Sequence, residues 1–276
     1  MTKEFNMLLA ARCLAKGSDV VFFDIGANIG MFSFFVARAG SDCHIFEPHP
    51  YYYRVLQTRA RWLSLERLFR RLGNLYINNI ALSNRVGQGT LYHHSTKPGS
   101  HSLDREMVVG EGDLTPKPIP VEMITLDQYV SGKSFKKGGN FFLKVDVEGA
   151  EADMITGGMG FIENNHPDIL IEVRGGGGEG CTFKAIADML LPMGYNLYTD
   201  QYTPCKVEGG KLVEWPIFSH ADVLFSLKKV DLEPFSCGWP FLSKKAKWLR
   251  LFRRIMFLQL ADLHPQAFRK PFDVFY

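Results

Sequence analysis

Short apolar runs recur along residues 20–227, and most of them are followed by a turn signal or by a longer mixed stretch. The clearest run, 20–23, is β-branched and aromatic throughout, which is typical of a strand covered on both faces. It leads through a glycine turn at 26–30 into a predicted helix. Similar runs predict strands at 43–46, 75–80, 120–124, 141–145, 169–173, 195–199 and 222–227.

The segments between these runs predict helices at 5–16, 31–39, 51–72, 149–156 and 183–191. Gly87 and Gly89 mark a predicted β-hairpin arm at 86–94. The segment 95–120 is rich in Gly, Ser and Pro, and predicts a long loop over an active site or an insertion. Strands that alternate with helices at this spacing indicate an α/β domain with a mostly parallel sheet.

A different pattern occupies 241–263, where lysines and arginines alternate with aromatic and aliphatic residues. This predicts a basic amphipathic helix, and we divide the chain into a domain at 1–230 and a C-terminal helical extension at 231–276. The apolar side of the helix can dock on the domain or on a second subunit in a homo-oligomer. Alternatively, it can lie on an anionic membrane surface. Docking is the favoured interpretation, although the two do not exclude each other.

Composition narrows the class of protein. Of 276 residues, 46% are hydrophobic and 22% are charged, which is ordinary for a soluble globular chain. The net charge of +3 does not by itself indicate a nucleic-acid partner. Five scattered cysteines without a C-x-x-C pair argue against a disulfide framework and a zinc knuckle. With no signal-peptide pattern and no run of ~18 apolar residues, we expect a cytoplasmic protein, with the basic helix allowing contact with the inner membrane surface.

The glycine turn departs from the dinucleotide fingerprint G-x-G-x-x-G, because it reads Asp24-x-Gly26-x-Asn28-x-Gly30. The carboxylate replaces the first glycine, where it would repel a pyrophosphate. The sulfonium and α-ammonium of S-adenosylmethionine reverse that sign. Glu47, at the end of the second predicted strand, is placed to hold the ribose hydroxyls of either cofactor. The alternative is that Asp24 and Asn28 are only capping and turn residues.

Five motifs then occur in one order: FDIGANIG at 23–30, FEPHP at 46–50, NIALSN at 79–84, TLD at 125–127 and LKVDVEGAE at 143–151. In this combination the chain resembles the FkbM-type family of S-adenosylmethionine-dependent methyltransferases over about 20–173. The resemblance implies a doubly wound, mostly parallel Rossmann-like methyltransferase sheet with helices on both faces. It also implies O-methylation of a hydroxyl on a small molecule or saccharide, with no nucleic acid as partner.

The resemblance assigns cofactor contacts as well. It implies that the methionine moiety is lined by Asp24, Gly26, Asn28 and Gly30, that Glu47 holds the ribose, and that Asn79 and Ala81 lie near the adenine.

Lys144, Asp146 and Glu148 alternate at the end of a predicted strand, so period two would place them on one face. Asp146 is the best candidate to contact the acceptor or the cofactor ammonium, because open α/β sheets bind ligands at this edge. Glu148 and Lys144 either take part directly or form an ion pair that orients Asp146. The carboxylates would suit a divalent metal, but no firm third ligand is evident, so no metal is predicted.

Two further side chains are candidates for proton transfer. Glu172 ends the next predicted strand and is either a general base or substrate contact, or the partner of Arg174 in a salt bridge. His101 lies in the polar segment 95–120, where its imidazole can take a hydroxyl proton or remain solvated. The glycine run 175–180 is either a mobile rim or a linker.

Two other functions stay open at this point. An NAD-dependent oxidoreductase would use the same kind of sheet, and Asp24 argues against it. A non-catalytic methyltransferase-like scaffold would act through the basic C-terminal helix, and the intact motifs from Asp24 to Glu148 argue against that interpretation.

Overall fold

The computed structural model describes residues 20–66, 71–97, 100–135, 139–174, 182–199, 205–213 and 220–228. The predicted helices at 5–16 and 241–263 and the glycine run 175–180 lie outside these residues. The boundary between the domain and the C-terminal extension therefore stays a prediction. Within the described residues, no helix combines the length and the apolar character that crossing a membrane requires.

The strands of the described chain fall into three sheets. In chain order they are β1 (Val20–Ile25), β2 (Asp42–Phe46), β3 (Leu75–Asn78), β4 (Ala81–Leu82), β5 (Gly87–His93), β6 (His101–Ser102), β7 (Lys117–Ile124), β8 (Asn140–Val145), β9 (Asp168–Arg174), β10 (Asn196–Thr199), β11 (Val207–Glu208), β12 (Lys211–Leu212) and β13 (His220–Ser226). The large sheet has the order β10-β13-β9-β8-β1-β2-β3.

This order is that of a doubly wound sheet. β1 pairs in parallel with both β2 and β8, and the chain then proceeds outward in opposite directions on the two sides. β13 is antiparallel to both of its neighbours, β9 and β10. The predicted fold class, an α/β, mostly parallel, doubly wound sheet, is confirmed. Its topological switch point lies between β1 and β8, where such sheets bind ligands.

Helices cover the sheet. They are α1 (Met31–Arg38), α2 (Pro50–Glu66), α3 (Arg105–Gly110), α4 (Leu126–Val130), α5 (Glu151–Thr156), α6 (Met159–Asn165) and α7 (Thr182–Leu190), followed by a 3₁₀ turn at Leu191–Met193. Phe23 is fully buried, and its ring packs against the rings of Phe46 and Phe161. Phe34 of α1 is also buried. The long apolar runs of the central strands are thus explained by burial on both faces.

A second sheet, ordered β4-β7-β5-β6, is inserted between β3 and β8. It bears on two predictions. Of the two alternatives for 95–120, a long loop or an insertion, the insertion is right, and the segment contains β6, α3 and the start of β7. The hairpin arm predicted at 86–94 corresponds to β5, but Gly87 and Gly89 lie within this strand, which pairs with both β6 and β7. Strand β7 contains Pro118 and Pro120, which hid its length from the sequence pattern.

Most other boundaries differ only slightly from the predicted ones. The exception is the helix predicted at 51–72, which ends at Glu66 and is followed at 71–74 by irregular backbone. The sequence pattern also missed the short helices α3 and α6.

Candidate functional site

The glycine turn joins the ends of three strands. The amides of Gly26 and Ala27 donate to the Phe46 carbonyl at the end of β2, each at 3.0 Å. The amide of Asp146 donates to the Ile25 carbonyl at 3.0 Å, which brings the end of β8 to the same place. Gly26 has a φ of 78°, and a Cβ on it would overlap the Asp146 carbonyl oxygen. Only glycine satisfies both the left-handed conformation and the close approach.

Asp24 lies under this turn rather than on the ligand side. Its carboxylate is fully buried and accepts from the backbone amide of Ser33 at 3.2 Å and from the Ser33 hydroxyl. Burial raises the pKa of Asp24, and Lys144 and Ser33 oppose that rise only in part. The sequence led us to expect that this carboxylate faces a ligand, but in the structure it is fully buried. Its side chain points toward α1 and stabilises the first turn of that helix.

Lys144 connects the carboxylates behind the cleft. Its ammonium lies 3.0 Å from Asp146 Oδ2 and 3.7 Å from Asp24 Oδ1, and it donates to the Gly26 carbonyl at 3.3 Å. Burial opposes the positive charge, but Asp146 and Asp24 outweigh it and raise the pKa of Lys144. Lys144 thus orients Asp146, as predicted for an ion pair, but the two ion pairs that we observe for it are with Asp146 and Asp24 rather than with Glu148.

Asp146, Glu148 and Glu172 form an acidic cluster in which one carboxylate oxygen of each lies within 4.8 Å of the others. Glu148 reaches it from a turn with φ 54°, not from the strand, so the period-two argument does not extend to it. Burial, the hydrogen bond with Asp146 and the neighbouring carboxylates raise the pKa of Glu172 to about 10. Burial also acts on Asp146, but Lys144 and the hydrogen bond from Glu172 outweigh it and lower the pKa of Asp146.

This charge pattern fixes the chemistry of the cluster. The pKa of Glu172 is raised and that of Asp146 is lowered, so Glu172 is the partner that holds the proton of the pair and donates it to Asp146. Oxygen ligands of this kind suit a hard divalent cation. Glu172 supplies the third carboxylate that was not evident from the sequence, so the cluster has a donor set that such an ion could use. The side chain of Arg174, its predicted partner, lies outside the described residues.

Glu172→Gln is expected to remove a pH-dependent loss of stability. Unfolded Glu172 ionises above its ordinary pKa of 4.5, whereas in the fold it holds its proton up to about 10. The folded state therefore binds more protons in this window, and stability falls as pH rises through it. Glutamine has no proton to lose, and its amide can still donate to Asp146. The variant should gain about 1–2 kcal/mol over wild type between pH 5 and pH 8, less than the full linkage because solvent reaches the carboxyl.

Urea unfolding at the two pH values measures this difference. The control is Glu163→Gln, at an exposed position of α6, which should leave the pH dependence of wild type intact. Equal pH dependence in wild type and Glu172→Gln would contradict the assignment.

Glu47 is held at the end of β2 by three donors. Its Oε2 accepts from the Asn28 amide at 2.7 Å, and its Oε1 accepts from the His49 amide at 2.8 Å. The imidazole Nε2 of His101 lies 3.2 Å from the same Oε1. Glu47 therefore does stand beside the glycine turn, as predicted, but it lies behind His101.

A cleft opens over the turn at the carboxyl ends of β1, β2 and β8. It is lined by Ile25, Gly26, Asn28, Phe46, Pro48, Ile80, Ala81, Leu82, Leu91, His101, Leu103, Asp146, Val147 and Glu148. By composition the lining has two parts: apolar side chains, which we call the apolar end, and the carboxylates of Asp146 and Glu148 with the backbone of the turn, which we call the acidic end.

The structure divides the predicted site residues by their position relative to this cleft. The lining residues among them are Gly26, Asn28, Ala81, His101, Asp146 and Glu148. The others are not among the lining residues: Asp24, Gly30, Glu47, Asn79, Lys144 and Glu172. The side-chain amide of Asn79, for example, donates to the carbonyls of Glu47 and Pro48, at 2.8 and 2.9 Å. It thus fixes the strand end rather than facing the cleft.

Part of the segment 95–120 lines the cleft, but it belongs to the second sheet and is not the loop that the sequence suggested. His101 is in β6, not in a loop, and is 9% exposed. The Ser102 hydroxyl donates to the Glu148 carbonyl at 2.5 Å, and Leu103 lines the apolar end. We call His101–Leu103 the roof segment. The role of Ser33 could not be predicted from the sequence, since a lone serine carries no signal, whereas His49 was already visible in the FEPHP motif.

Comparisons with known proteins agree with this architecture. A Methyltransferase FkbM domain model matches residues 24–197. No curated protein matches the chain significantly. Among solved structures, the chain is similar to an FkbM methyltransferase from Methylobacillus flagellatus KT, with 12% identity, a TM-score of 0.45, and coverage of 75% of this chain and 44% of that one. The chain thus spans less than half of that protein's length.

Two further solved structures that are similar to this chain are methyltransferases with different acceptors. One is a magnesium protoporphyrin IX methyltransferase from Synechocystis PCC 6803 with bound S-adenosylmethionine, at 9% identity, TM-score 0.39, and 80% and 77% coverage of this chain and that one. The other is an rRNA methylase from Streptococcus thermophilus, at 11% identity, TM-score 0.40, and 80% and 97% coverage. The FkbM domain model spans more than half of the chain, and on that match the protein belongs to the FkbM methyltransferase family.

Proposed function

We propose that the protein transfers a methyl group from S-adenosylmethionine to a hydroxyl of a small molecule or saccharide. The observation that carries the proposal is the composition of the cleft at the switch point of the sheet. Its apolar end, with Phe46, Ile80 and Leu91, suits an adenine ring. Its other end presents Asp146 and Glu148, whose negative charge suits a ligand with an ammonium and a sulfonium.

The same charge disfavours the rival oxidoreductase. A dinucleotide would bring its pyrophosphate to the glycine turn, next to the carboxylate of Asp146. Asp24 itself no longer carries this argument, because it is buried behind the turn. The argument now rests on Asp146 and Glu148, the two carboxylates that line the cleft.

The cleft also favours a small acceptor over a nucleic acid. Among the described residues that line it there is no lysine or arginine. Nucleic-acid partners are held largely through phosphate contacts with such side chains. A small hydroxyl compound or saccharide needs only a few polar contacts, and Asp146 and Glu148 can provide these at the acidic end.

Different residues of the chain would have different roles in the reaction. When bound, S-adenosylmethionine would supply an electrophilic methyl group on its sulfonium. Asp146 would accept a hydrogen bond from the acceptor hydroxyl and hold its oxygen in line with that methyl group. It would take the hydroxyl proton as the C–O bond forms and the methyl–sulfur bond breaks, with S-adenosylhomocysteine as the leaving group. Lys144 and Glu172 keep Asp146 ionised and oriented. Glu47 would hold the ribose, and the apolar end would enclose the adenine.

Binding of S-adenosylhomocysteine, measured by calorimetry, tests the proposal directly. We expect it to bind wild-type protein, with no detectable binding of NAD⁺. Glu47→Gln should weaken that binding about 10- to 100-fold, because hydrogen bonds to a charged group contribute about 1.5–3 kcal/mol. The exposed Glu163→Gln is the matched control and should bind as wild type does.

Two results would contradict the proposal. Binding of NAD⁺ instead of S-adenosylhomocysteine would favour the oxidoreductase. A protein that binds neither cofactor would favour the non-catalytic scaffold.

A further inference from the structure

The carboxylate that we assign to the ribose is covered by a side chain of the second sheet. Glu47 has no exposed side-chain surface, and His101, which lies over it, is 9% exposed. The imidazole Nε2 of His101 is 3.2 Å from Glu47 Oε1. A ligand that reaches Glu47 from the cleft therefore meets His101 first.

The hydrogen bonds of Glu47 show which lone-pair position His101 occupies. A carboxylate offers about four lone-pair positions, two on each oxygen. The Asn28 amide uses one on Oε2, and the His49 amide uses one on Oε1. These backbone bonds hold the ends of the strand and the turn together. His101 uses the second position on Oε1, so the two neighbouring ribose hydroxyls cannot each take one oxygen while His101 stays.

His101 is itself only partly satisfied in this position. Its Nδ1 is buried and makes no hydrogen bond with the described residues. Its ring stacks on Tyr52, with centroids 5.5 Å apart. His101 is thus held over Glu47 chiefly by its bond to that carboxylate and by ring packing. In this position Nδ1 lacks the hydrogen bond that it would make with water if the ring were exposed.

We propose that His101 is a positioning residue, which competes with a ribose hydroxyl for Oε1 of Glu47 and has to leave that oxygen for the cofactor to bind. The inference rests on the proposed function. Cofactor binding then includes the cost of breaking the pair between His101 and Glu47. The roof segment carries this competition, because Ser102 and Leu103, the next two residues, contact the acidic and the apolar ends of the same cleft.

The pair makes the competition depend on pH. Burial opposes a charge on His101, but the hydrogen bond and charge of Glu47, with Glu148 and Asp146, outweigh it and raise the pKa of His101. His49 and His93 also face its ring, and burial followed by neighbouring histidines lowers the pKa of each. Those two rings are therefore neutral near pH 7. As pH rises through the pKa of His101, its hold on Glu47 weakens and cofactor affinity should increase.

The test compares S-adenosylhomocysteine binding in two variants of one residue. In His101→Asn the amide nitrogen takes the place of Nδ1 and cannot reach Glu47, so the dissociation constant should fall about threefold to tenfold, the range for one hydrogen bond. In His101→Gln the amide nitrogen takes the place of Nε2 and can still donate. That variant should bind near the wild-type level but lose the increase in affinity that wild type shows as pH rises above 6.5, the ordinary pKa of histidine.

The control is His166→Asn, the same exchange at an exposed position whose left-handed backbone, φ 48°, asparagine tolerates. It should leave binding unchanged. Weaker binding by His101→Asn would overturn the proposal and make His101 a cofactor contact. An unchanged dissociation constant in that variant, or a wild-type pH profile in His101→Gln, would also overturn it. If His101→Asn fails to fold, the pH profile of His101→Gln decides. Failure of wild type to bind S-adenosylhomocysteine would instead overturn the proposed function.

Discussion

Gly26→Ala is expected to lower the free energy of unfolding by about 3 kcal/mol or more and to weaken cofactor binding. At φ 78° the added Cβ brings backbone strain of about 1–2 kcal/mol. It also overlaps the Asp146 carbonyl oxygen, which belongs to the backbone and cannot rotate away. Forcing extra atoms into such a place costs about 1–3 kcal/mol more. Because β8 must shift, Asp146 moves with it, and the cleft loses its geometry.

Gly132→Ala separates the two causes. Gly132 has nearly the same conformation, φ 76°, but nothing lies within 4 Å of an added Cβ. It should therefore show the strain alone, about 1–2 kcal/mol. Chemical denaturation gives both values, and calorimetry with S-adenosylhomocysteine shows whether binding is lost only in Gly26→Ala. Equal destabilisation by the two substitutions would contradict the close approach between the turn and β8.

The large sheet could be predicted because each of its central strands is marked by residues within the strand or directly after it. Central strands such as β1 and β2 are short apolar runs, and each is followed by a turn signal: Gly26 after β1, and the prolines at 48 and 50 after β2. The turn, the acid after β2 and the acid after β8 could then be placed at one edge by topology alone. Asp146, Glu148 and Gly26 do line one cleft.

The parts that escaped prediction depend on contacts between distant segments. The second sheet pairs Gly87–His93 with Lys117–Ile124, about 30 residues later, and its proline-containing strand gives a weak local signal. The orientation of Asp24 was missed because a strand pattern does not show which face α1 covers. The position of His101 over Glu47 could not be derived either, since it depends on how the inserted sheet folds back on the cleft.

Asp146→Asn is expected to lower the turnover of methyl transfer by about 10²–10⁴-fold, the range for loss of a positioned general base. Asparagine keeps the shape of the side chain and can still accept from Glu172, but it cannot take a proton. Asp146 is the carboxylate that both lines the cleft and is kept ionised, by Lys144 at 3.0 Å. Glu148 also lines the cleft but comes from a flanking turn, and Glu172 already carries its proton. The loss should therefore not be compensated by either neighbour.

The measurement follows transfer of a labelled methyl group from S-adenosylmethionine to a panel of saccharide and small-alcohol hydroxyls. Calorimetry on the same samples measures S-adenosylhomocysteine affinity, which should change by less than about tenfold, since most of the cofactor contacts that we propose come from other residues. Asp188→Asn, the same exchange at an exposed position of α7, is the control and should keep wild-type turnover. If Asp146→Asn lost affinity and turnover in equal proportion, Asp146 would hold the cofactor. Unchanged turnover would remove it from the chemistry altogether, and Glu148 would then be the remaining described carboxylate that lines the cleft.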